Sequence, residues 1–415
     1  MIQSTEKLPS EDTEKDLNIV IKIGGSCLRD GKTVGNIVEK IKKITEQGII
    51  PIIVVSAMRG MTDSLFELIT NSHKHHDPRT IDTLVSEGEQ LSAKIISSAL
   101  KSAGIKARAV LPSKGIFPIV TDENYGNARI LIEETERNIR DILIPLIDDG
   151  IIPVVPGFIG VSKNGSITTM GRGGSDTTAI LIGKILKTRE VILLKDVPGI
   201  LSGDPKVVDS PSVIPVASMK EIFNLGLRGG KVVSPEALIH KDDTDLRIVY
   251  FDSEDILEGG TRITGIKEKD TIIEIKENIS LITVIGRDRV NIPEIIMQIS
   301  RIMSEKNIEY FPLYISDHAV TLYIDTGCLQ DVLKQIHEIV VKNEHLISVT
   351  SLSGIICVRI TFYDIFTGMK KIKEAWDLLM KKRVKIIDLS INLPEACIYI
   401  QGNKNRIMRI VEENL

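Results

Sequence analysis

Ile19-Val20-Ile21-Lys22-Ile23-Gly24-Gly25-Ser26 decides how the rest of the chain is read. A short apolar run carries one lysine next to its end and then breaks at two residues that lack a Cβ. Downstream, Val34, Ile37, Ile41 and Ile44 recur at helical spacing before a stop at Gly48, and residues 49–55 are again apolar and β-branched, ending at Ser56. Strand, glycine turn, helix and strand make a βαβ unit, and strands without polar alternation imply a sheet covered on both faces.

Working outward, the rhythm repeats. The pattern predicts helices over 87–100, 127–148 and 177–186 and strands over 107–111, 151–155 and 190–194. Such alternation predicts one α/β domain, a three-layer, mostly parallel sheet over residues 18–265. After Asp252 the grain changes: residues 253–270 are polar, hold Gly259-Gly260, and read as a linker. Beyond it, strands at 279–285, 308–315 and 319–324 enclose a helix at 292–305 and precede one at 328–342. A strand at 353–361, a helix at 369–381, a hairpin at 384–393 and 396–401 and a helix at 405–414 then repeat the order. This is βαββα written twice, so two small α+β units, 271–345 and 346–415, are expected.

Composition narrows the function. With 415 residues the chain has room for about two to four domains. Only 4% of residues are aromatic, so the interior must be built from Ile, Val and Leu, and a ring surface for stacking bases is excluded. Lys+Arg 52 against Asp+Glu 56 leaves a net charge of −4, with no electrostatic footprint for nucleic acid or anionic lipid. Cys27, Cys328, Cys357 and Cys397 show no metal-site spacing and fit a reducing compartment. Residues 1–17 are polar, with no leader-like apolar core, and read as a flexible tail. The apolar stretches at 48–58 and 151–161 carry prolines and are too short to span a bilayer, so a cytoplasmic protein with no membrane partner is expected.

No P-loop motif and no G-x-G-x-x-G after the first strand is present. Instead there are four glycine-rich turns. Lys22-Ile23-Gly24-Gly25-Ser26 puts a lysine before amides that can approach phosphate, although alone it would serve equally as a tight turn with a solvated lysine. Met170-Gly171-Arg172-Gly173-Gly174-Ser175-Asp176 leads into an apolar helix with Ser175 or Asp176 as its expected N-cap. A helix start of this kind is an anion site, and three glycines around an arginine exceed what a cap requires. Residues 195–206, including Lys195, Asp196, Leu201 and Lys206, form a long loop after a buried strand, where α/β sheets bind ligands. Gly229-Gly230-Lys231-Val232 offers a further lysine that either reaches a nucleotide or solvates a helix start.

These segments, with Val55-Ser56-Ala57-Met58, Ser86-Glu87-Gly88-Glu89, Gly157-Phe158-Ile159-Gly160, Asp204-Pro205-Lys206 and Gly230-Lys231-Val232-Val233-Ser234-Pro235, resemble the aspartate kinases of the amino acid kinase family, in the family's order over most of 18–265. The carboxyl duplication is similar to the tandem ACT domains of those enzymes. The resemblance implies phosphoryl transfer from ATP with Mg²⁺ to the side chain of L-aspartate, giving 4-phospho-L-aspartate, the first step toward lysine, threonine and methionine. It further implies that Lys22 and Asp176 are catalytic, and that Ser56, Thr62, Glu89, Arg172, Gly173, Gly174 and Ser175 surround aspartate. Lys22, Gly24, Gly25, Ser26, Lys195, Asp196, Leu201, Lys206, Lys231 and Val232 are the implied nucleotide contacts, with no resident metal ligands. A homodimer or dimer of dimers, and lysine or threonine as an effector at the ACT domains, are also implied.

The chain departs from the family pattern at Ile23, at Ser26-Cys27 and at Lys195, where a threonine is usual; Lys195 is expected to put positive charge beside adenine and ribose. The rival readings are another small-acid kinase of the superfamily and a non-catalytic amino-acid sensor. The first is disfavoured by the 86–89 segment, the second by Lys22, Arg172 and Asp176 standing together. His73, His75 and His76 read as a solvated loop, and Cys27 as a packed small residue. The loop at 286–293 lacks the small-residue turn expected before the helix of such a unit, the corresponding stretch at 362–368 is bulky, and the last hairpin is an alternative candidate for completing the first of two interleaved ACT units.

Overall fold

In the computed structural model, which describes residues 18–72, 75–113, 116–230, 232–265, 271–287, 291–402, 405, 407, 409 and 410, Ile19–Ile23 forms β1 and every residue of it is buried. The expected tail and His73 lie outside the described residues. The chain divides into two units, Met1–Glu268 and Lys269–Leu415. In the first, β1 is followed by α1 (Gly31–Glu46), β2 (Pro51–Val55), α2 (Met61–Ser72), α3 (Pro78–Ser102), β3 (Ala107–Ala109), α4 (Ile132–Asp148), β4 (Ile152–Pro156), α5 (Gly174–Leu186), β5 (Glu190–Lys195), β6 (Val216–Ser218), α6 (Met219–Leu227), β7 (Asp245–Tyr250) and β8 (Thr261–Thr264).

The eight strands form one sheet in the order β6-β8-β7-β5-β1-β2-β4-β3. It is parallel from β7 through β3, with β8 antiparallel to β7 at the other side. Its core is aliphatic: Ile21, Ile23, Ile53, Val55, Val154, Ile192 and Leu194 are buried against Ile37, Ile41, Ile96 and Leu100 of the covering helices. Each such side chain contributes roughly 1.5–3 kcal/mol relative to exposure. α1 begins at Asp30, whose side chain accepts the Thr33 N–H in a reciprocal capping box.

Several boundaries differ from expectation for physical reasons. α3 starts at Pro78, well before the predicted 87, because Pro78 supplies a preformed first turn. Asp82, Ser86, Glu89 and Gln90 on its inner face are buried polar residues that break the apolar signal. α4 starts at Ile132 because the preceding segment is an irregular loop in which Asp122 Oδ1 accepts the N–H groups of Asn124 and Arg129. α2 has no counterpart in the sequence reading. The linker expected at 253–270 is shorter, since Thr261–Thr264 pairs with β7 inside the sheet.

The second unit runs β9 (Thr271–Gly286), α7 (Ile292–Glu305), β10 (Tyr310–Ser316), β11 (Ala319–Asp325), α8 (Leu329–Lys342), β12 (Leu346–Phe362), α9 (Ile365–Lys381), β13 (Lys385–Asn392) and β14 (Glu395–Gln401), in sheet order β10-β11-β9-β12-β14-β13. The duplicated βαββ order is present. β9 and β12 are long because each serves both repeats. They pair from Thr271↔Phe362 to Gly286↔Leu346, with register shifts between Lys276 and Leu281, near Asn278 and Gly354, which both take positive φ. Residues 346–352 therefore close the first repeat, and residues 271–276 close the second. The alternative in which the last hairpin completes the first unit is corrected: β14 pairs with 355–361, and its Ile398 and Ile400 pack in the core of Val358, Phe362, Ile372 and Leu379. On the opposite sheet face the two wings meet. Tyr323 of β11 stacks on Tyr399 of β14 at 3.7 Å, and its hydroxyl donates to Asp388 of β13 at 3.0 Å. No helix among the described residues is long and apolar enough to cross a membrane.

Candidate active site

β1 and β5 are adjacent parallel strands, with Ile23 beside Leu194, so Lys22 and Lys195 both emerge at their carboxyl ends. There β1 has one neighbour that follows it in sequence and one that returns from much later, the switch point at which open α/β sheets bind ligands. α5 runs over these ends and brings Asp176 between the lysines. Lys22 Nζ forms an ion pair with Asp176 Oδ1 at 2.6 Å, and Lys195 Nζ donates to Oδ2 at 2.8 Å. Lys22 and Asp176 are buried. Burial alone would raise the Asp176 carboxyl, but the two ammonium groups override it and hold it at about 2. Lys22 is lowered, first by burial and also by repulsion from Lys195, with Asp176 opposing.

Lys22, Ser56, Thr62, Glu89, Arg172, Gly173, Gly174, Ser175 and Asp176 line one cleft of about 660 Å³. Every expected catalytic and substrate residue is thus brought together. Asp82, Tyr125, Phe158 and Thr169 also line it and are not among the expected site residues; the available signal for Asp82 was a carboxylate next to Ile81 two helical turns before Glu89. Glu89 on α3 is 3% exposed. Its Oε1 accepts the Ala57 N–H at 3.3 Å, whereas Oε2 is buried with no hydrogen-bond partner. Burial raises its carboxyl to about 7, against the smaller pull of that N–H. Arg172 is exposed at the cleft rim.

The glycines have geometric reasons. A Cβ on Gly25 would lie 2.6 Å from the Ala57 carbonyl oxygen, so the β1 turn can sit against the loop after β2 only without a side chain. Gly173, at φ 79, caps α5, and a Cβ there would overlap Ser234. This corrects the expected N-cap. Ser175 and Asp176 lie inside the first turn, because the helix begins at Gly174 and Asp176 is turned inward to the two lysines.

Expected nucleotide residues are less tightly assembled. Gly24 is buried and Gly25 and Ser26 are partly buried beside Lys22. Lys195 belongs to the Asp176 triad, which places its charge near Lys22. Asp196, Leu201, Lys206 and Val232 are not among the residues lining the cleft, and Lys231 lies outside the described residues. Cys27 is 1% exposed, its thiol facing the Leu194 carbonyl and raised by burial, in keeping with a packing role. Among the described residues no group of three or more His, Cys, Asp and Glu could hold a metal ion.

Comparison with known proteins agrees with this architecture. The chain is 35% identical over 225 residues to aspartokinase 1 of Bacillus subtilis, covering 53% of this chain and 54% of that protein. It is 31% identical over 279 residues to an aspartokinase of Geobacillus stearothermophilus, covering 65% and 66%. The matches thus span about half to two thirds of the length of these relatives. Among solved structures, an aspartate kinase from Synechocystis superposes with a TM-score of 0.74 at 22% identity, covering 95% of this chain and 69% of that one. E. coli aspartokinase III in complex with aspartate and ADP gives 0.54 at 21%, covering 96% and 99%. At such identities the likeness is one of fold. The profile of the amino acid kinase family matches residues 18–249, the stretch that holds the parallel sheet and the Lys22–Asp176–Lys195 cleft, and the chain belongs to the amino acid kinase family.

Proposed function

We propose that the chain is an aspartate kinase, transferring the γ-phosphate of MgATP to the side-chain carboxylate of L-aspartate to give 4-phospho-L-aspartate. One observation carries the reading: a buried carboxylate with an unpartnered oxygen, Glu89, shares its cleft with a rim guanidinium, Arg172, and with the Lys22–Asp176–Lys195 triad. An α-amino acid with an acidic side chain presents a matching ammonium, a carboxylate for bidentate capture and a second carboxylate to react. The curated relatives bearing the name aspartokinase support the same choice over other small acids.

The chemistry asks for charge neutralisation and alignment. The attacking carboxylate has an ordinary pKa of about 3.9 and is ionised near neutral pH, so no general base is required. Two lysines around one ionised aspartate leave net positive charge where the transferring phosphoryl group would sit. Lys22 neutralises that group, and Asp176 fixes both ammonium positions before substrate arrives. The first turn of α5 and the Gly24-Gly25-Ser26 turn offer backbone N–H groups to phosphate oxygens. Lys195, Asp196, Leu201, Lys206, Lys231 and Val232 are assigned to the nucleotide. Mg²⁺ is assigned to the substrate, entering as MgATP.

The carboxyl unit is assigned as a pair of ACT-like domains that mediate dimerisation and bind an amino-acid effector, lysine or threonine. Support comes from its duplicated βαββ order and from a fold neighbour solved with lysine and aspartate, E. coli aspartokinase III. Titration calorimetry of both amino acids decides the effector: heat with inhibition supports it, and neither at millimolar ligand removes it. For the reaction, a hydroxamate assay with ATP, Mg²⁺ and a panel of small acids is expected to trap acyl phosphate with L-aspartate. Acyl phosphate only with another acid, or with none, overturns the assignment.

A further inference from the structure

Asp82 is a charged residue 3% exposed in the wall of the cleft, with no part in the chemistry described above. Burying a carboxylate is costly unless donors compensate it, and here three do. Its Oδ2 accepts the backbone N–H of Gly126 at 2.9 Å and of Thr169 at 2.7 Å, and its Oδ1 accepts the Thr169 hydroxyl at 2.9 Å. These donors come from two other segments: the irregular loop before α4, and the strand Ile167–Thr169, whose last residue directly precedes Met170-Gly171-Arg172-Gly173.

Those segments also bind one another. Ala128 donates its N–H to the Thr169 carbonyl at 2.9 Å. A Cβ on Gly171 would lie 3.0 Å from Asn127 Oδ1 and 3.5 Å from the Gly126 carbonyl oxygen, so the arginine loop lies directly on the Gly126 loop. On α3, Asp82 and Glu89 are seven residues apart, two helical turns, and face the same side. One carboxylate therefore ties the helix that carries Glu89 to the root of the loop that carries Arg172.

We propose that Asp82 is a positioning residue that fixes the Arg172 loop relative to Glu89 and so sets the spacing at which the cleft grips the two charged ends of an amino acid. This rests on the aspartate kinase reading of the same cleft. Asp82 acts through the loop, since three of its lone-pair positions are already occupied by protein donors.

The test uses the full-length chain and three variants, with melting curves confirming that each is folded. Asp82→Ala is expected to raise the KM for L-aspartate at least tenfold while changing the KM for ATP less than threefold. Thr169→Val removes one of the three bonds and is expected to move the same KM by a few-fold. Asp82→Asn keeps a carbonyl oxygen for the two backbone donors and can donate to the Thr169 hydroxyl, so it is expected to recover most of the loss. Hydrogen exchange supplies a readout independent of substrate: in Asp82→Ala, protection falls in peptides covering 122–128 and 167–173 but not in β1 or β2. Equal rises in both KM values, unchanged exchange in these peptides, or a loss in Asp82→Asn as large as in Asp82→Ala overturns the proposal, the last by showing that the charge itself meets the ligand. If the wild-type chain makes no acyl phosphate from aspartate, the kinase reading fails, while the exchange experiment still decides whether Asp82 holds the loop.

Discussion

The cleft has two walls, and each buries a carboxylate. On the strand-end wall Asp176 sits between Lys22 and Lys195 and is held at about 2; on the helix wall Glu89 meets one backbone N–H and is raised to about 7. Burial pushes both in the same direction, so the difference comes from the neighbours. A carboxylate that already has its cations is part of a preorganised electrostatic frame. One that lacks them is a receptor whose charge is stabilised when a cationic ligand arrives. On the proposed aspartate kinase reading, the contrast divides labour between the walls: one would act on the transferring group and the other would recognise the acceptor.

The largest expected effect breaks the first wall. Lys22→Met should lower kcat on the order of 10³-fold, as loss of a charge-stabilising donor does elsewhere, and Asp176→Ala should do at least as much while the fold is retained. Steady-state acyl phosphate formation measures both, and near-normal turnover in either would falsify the triad's role. Breaking the second wall is expected to act on binding. Glu89→Gln should raise the KM for aspartate by about ten- to a hundredfold, the worth of a charged hydrogen bond, with kcat and the KM for ATP much less affected; an unchanged aspartate KM removes Glu89 from the substrate shell.

Smaller effects sharpen the contrast. Lys195 helps to lower Lys22, and Lys195→Met leaves Asp176 a single cation, so kcat should fall about tenfold. A value indistinguishable from wild type would reduce the triad to a pair. The smallest effect is on pH dependence. Raised from 4.5 to about 7, Glu89 makes the unliganded chain lose stability as pH rises from the ordinary carboxylate range through about 7. Asp176, lowered from 3.8 to about 2, contributes stability that is present above its ordinary value and lost only as pH falls through about 2. Melting temperatures from pH 5 to 8 should therefore show Glu89→Gln gaining on the wild type as pH rises. In parallel, kcat/KM for aspartate should decline below about pH 7 in the wild type alone. A decline shared by both proteins assigns that limb to another group.

Much of this was legible in local pattern. The Lys22-Ile23-Gly24-Gly25 turn and the Gly171–Asp176 loop stand out because a glycine turn after a buried strand is specified by neighbours in sequence, and these two turns do meet. The N-cap of α5 was misread because Ser175 and Asp176 have good capping chemistry. Gly173 takes that place because its φ of 79 and its contact with Ser234 admit no side chain. Asp82 went unmarked because its three donors lie on other segments. In the carboxyl unit the repeat was readable, but the strand exchange through 271–276 was not, since a strand's partner across the sheet leaves no mark on its own alternation.

By itself, then, the order of residues determines what short-range physics controls: the aliphatic strands, the helices that cover them, the glycine turns, the duplication, and the kinds of charge available at each turn. What only the tertiary structure decides is which charges meet. Lys195 on Asp176, Asp82 against a loop and a strand, and the one backbone donor that reaches Glu89 each depend on segments distant in sequence arriving within about 3 Å. A buried carboxylate's protonation is set by that final company, because removal from water magnifies every nearby charge.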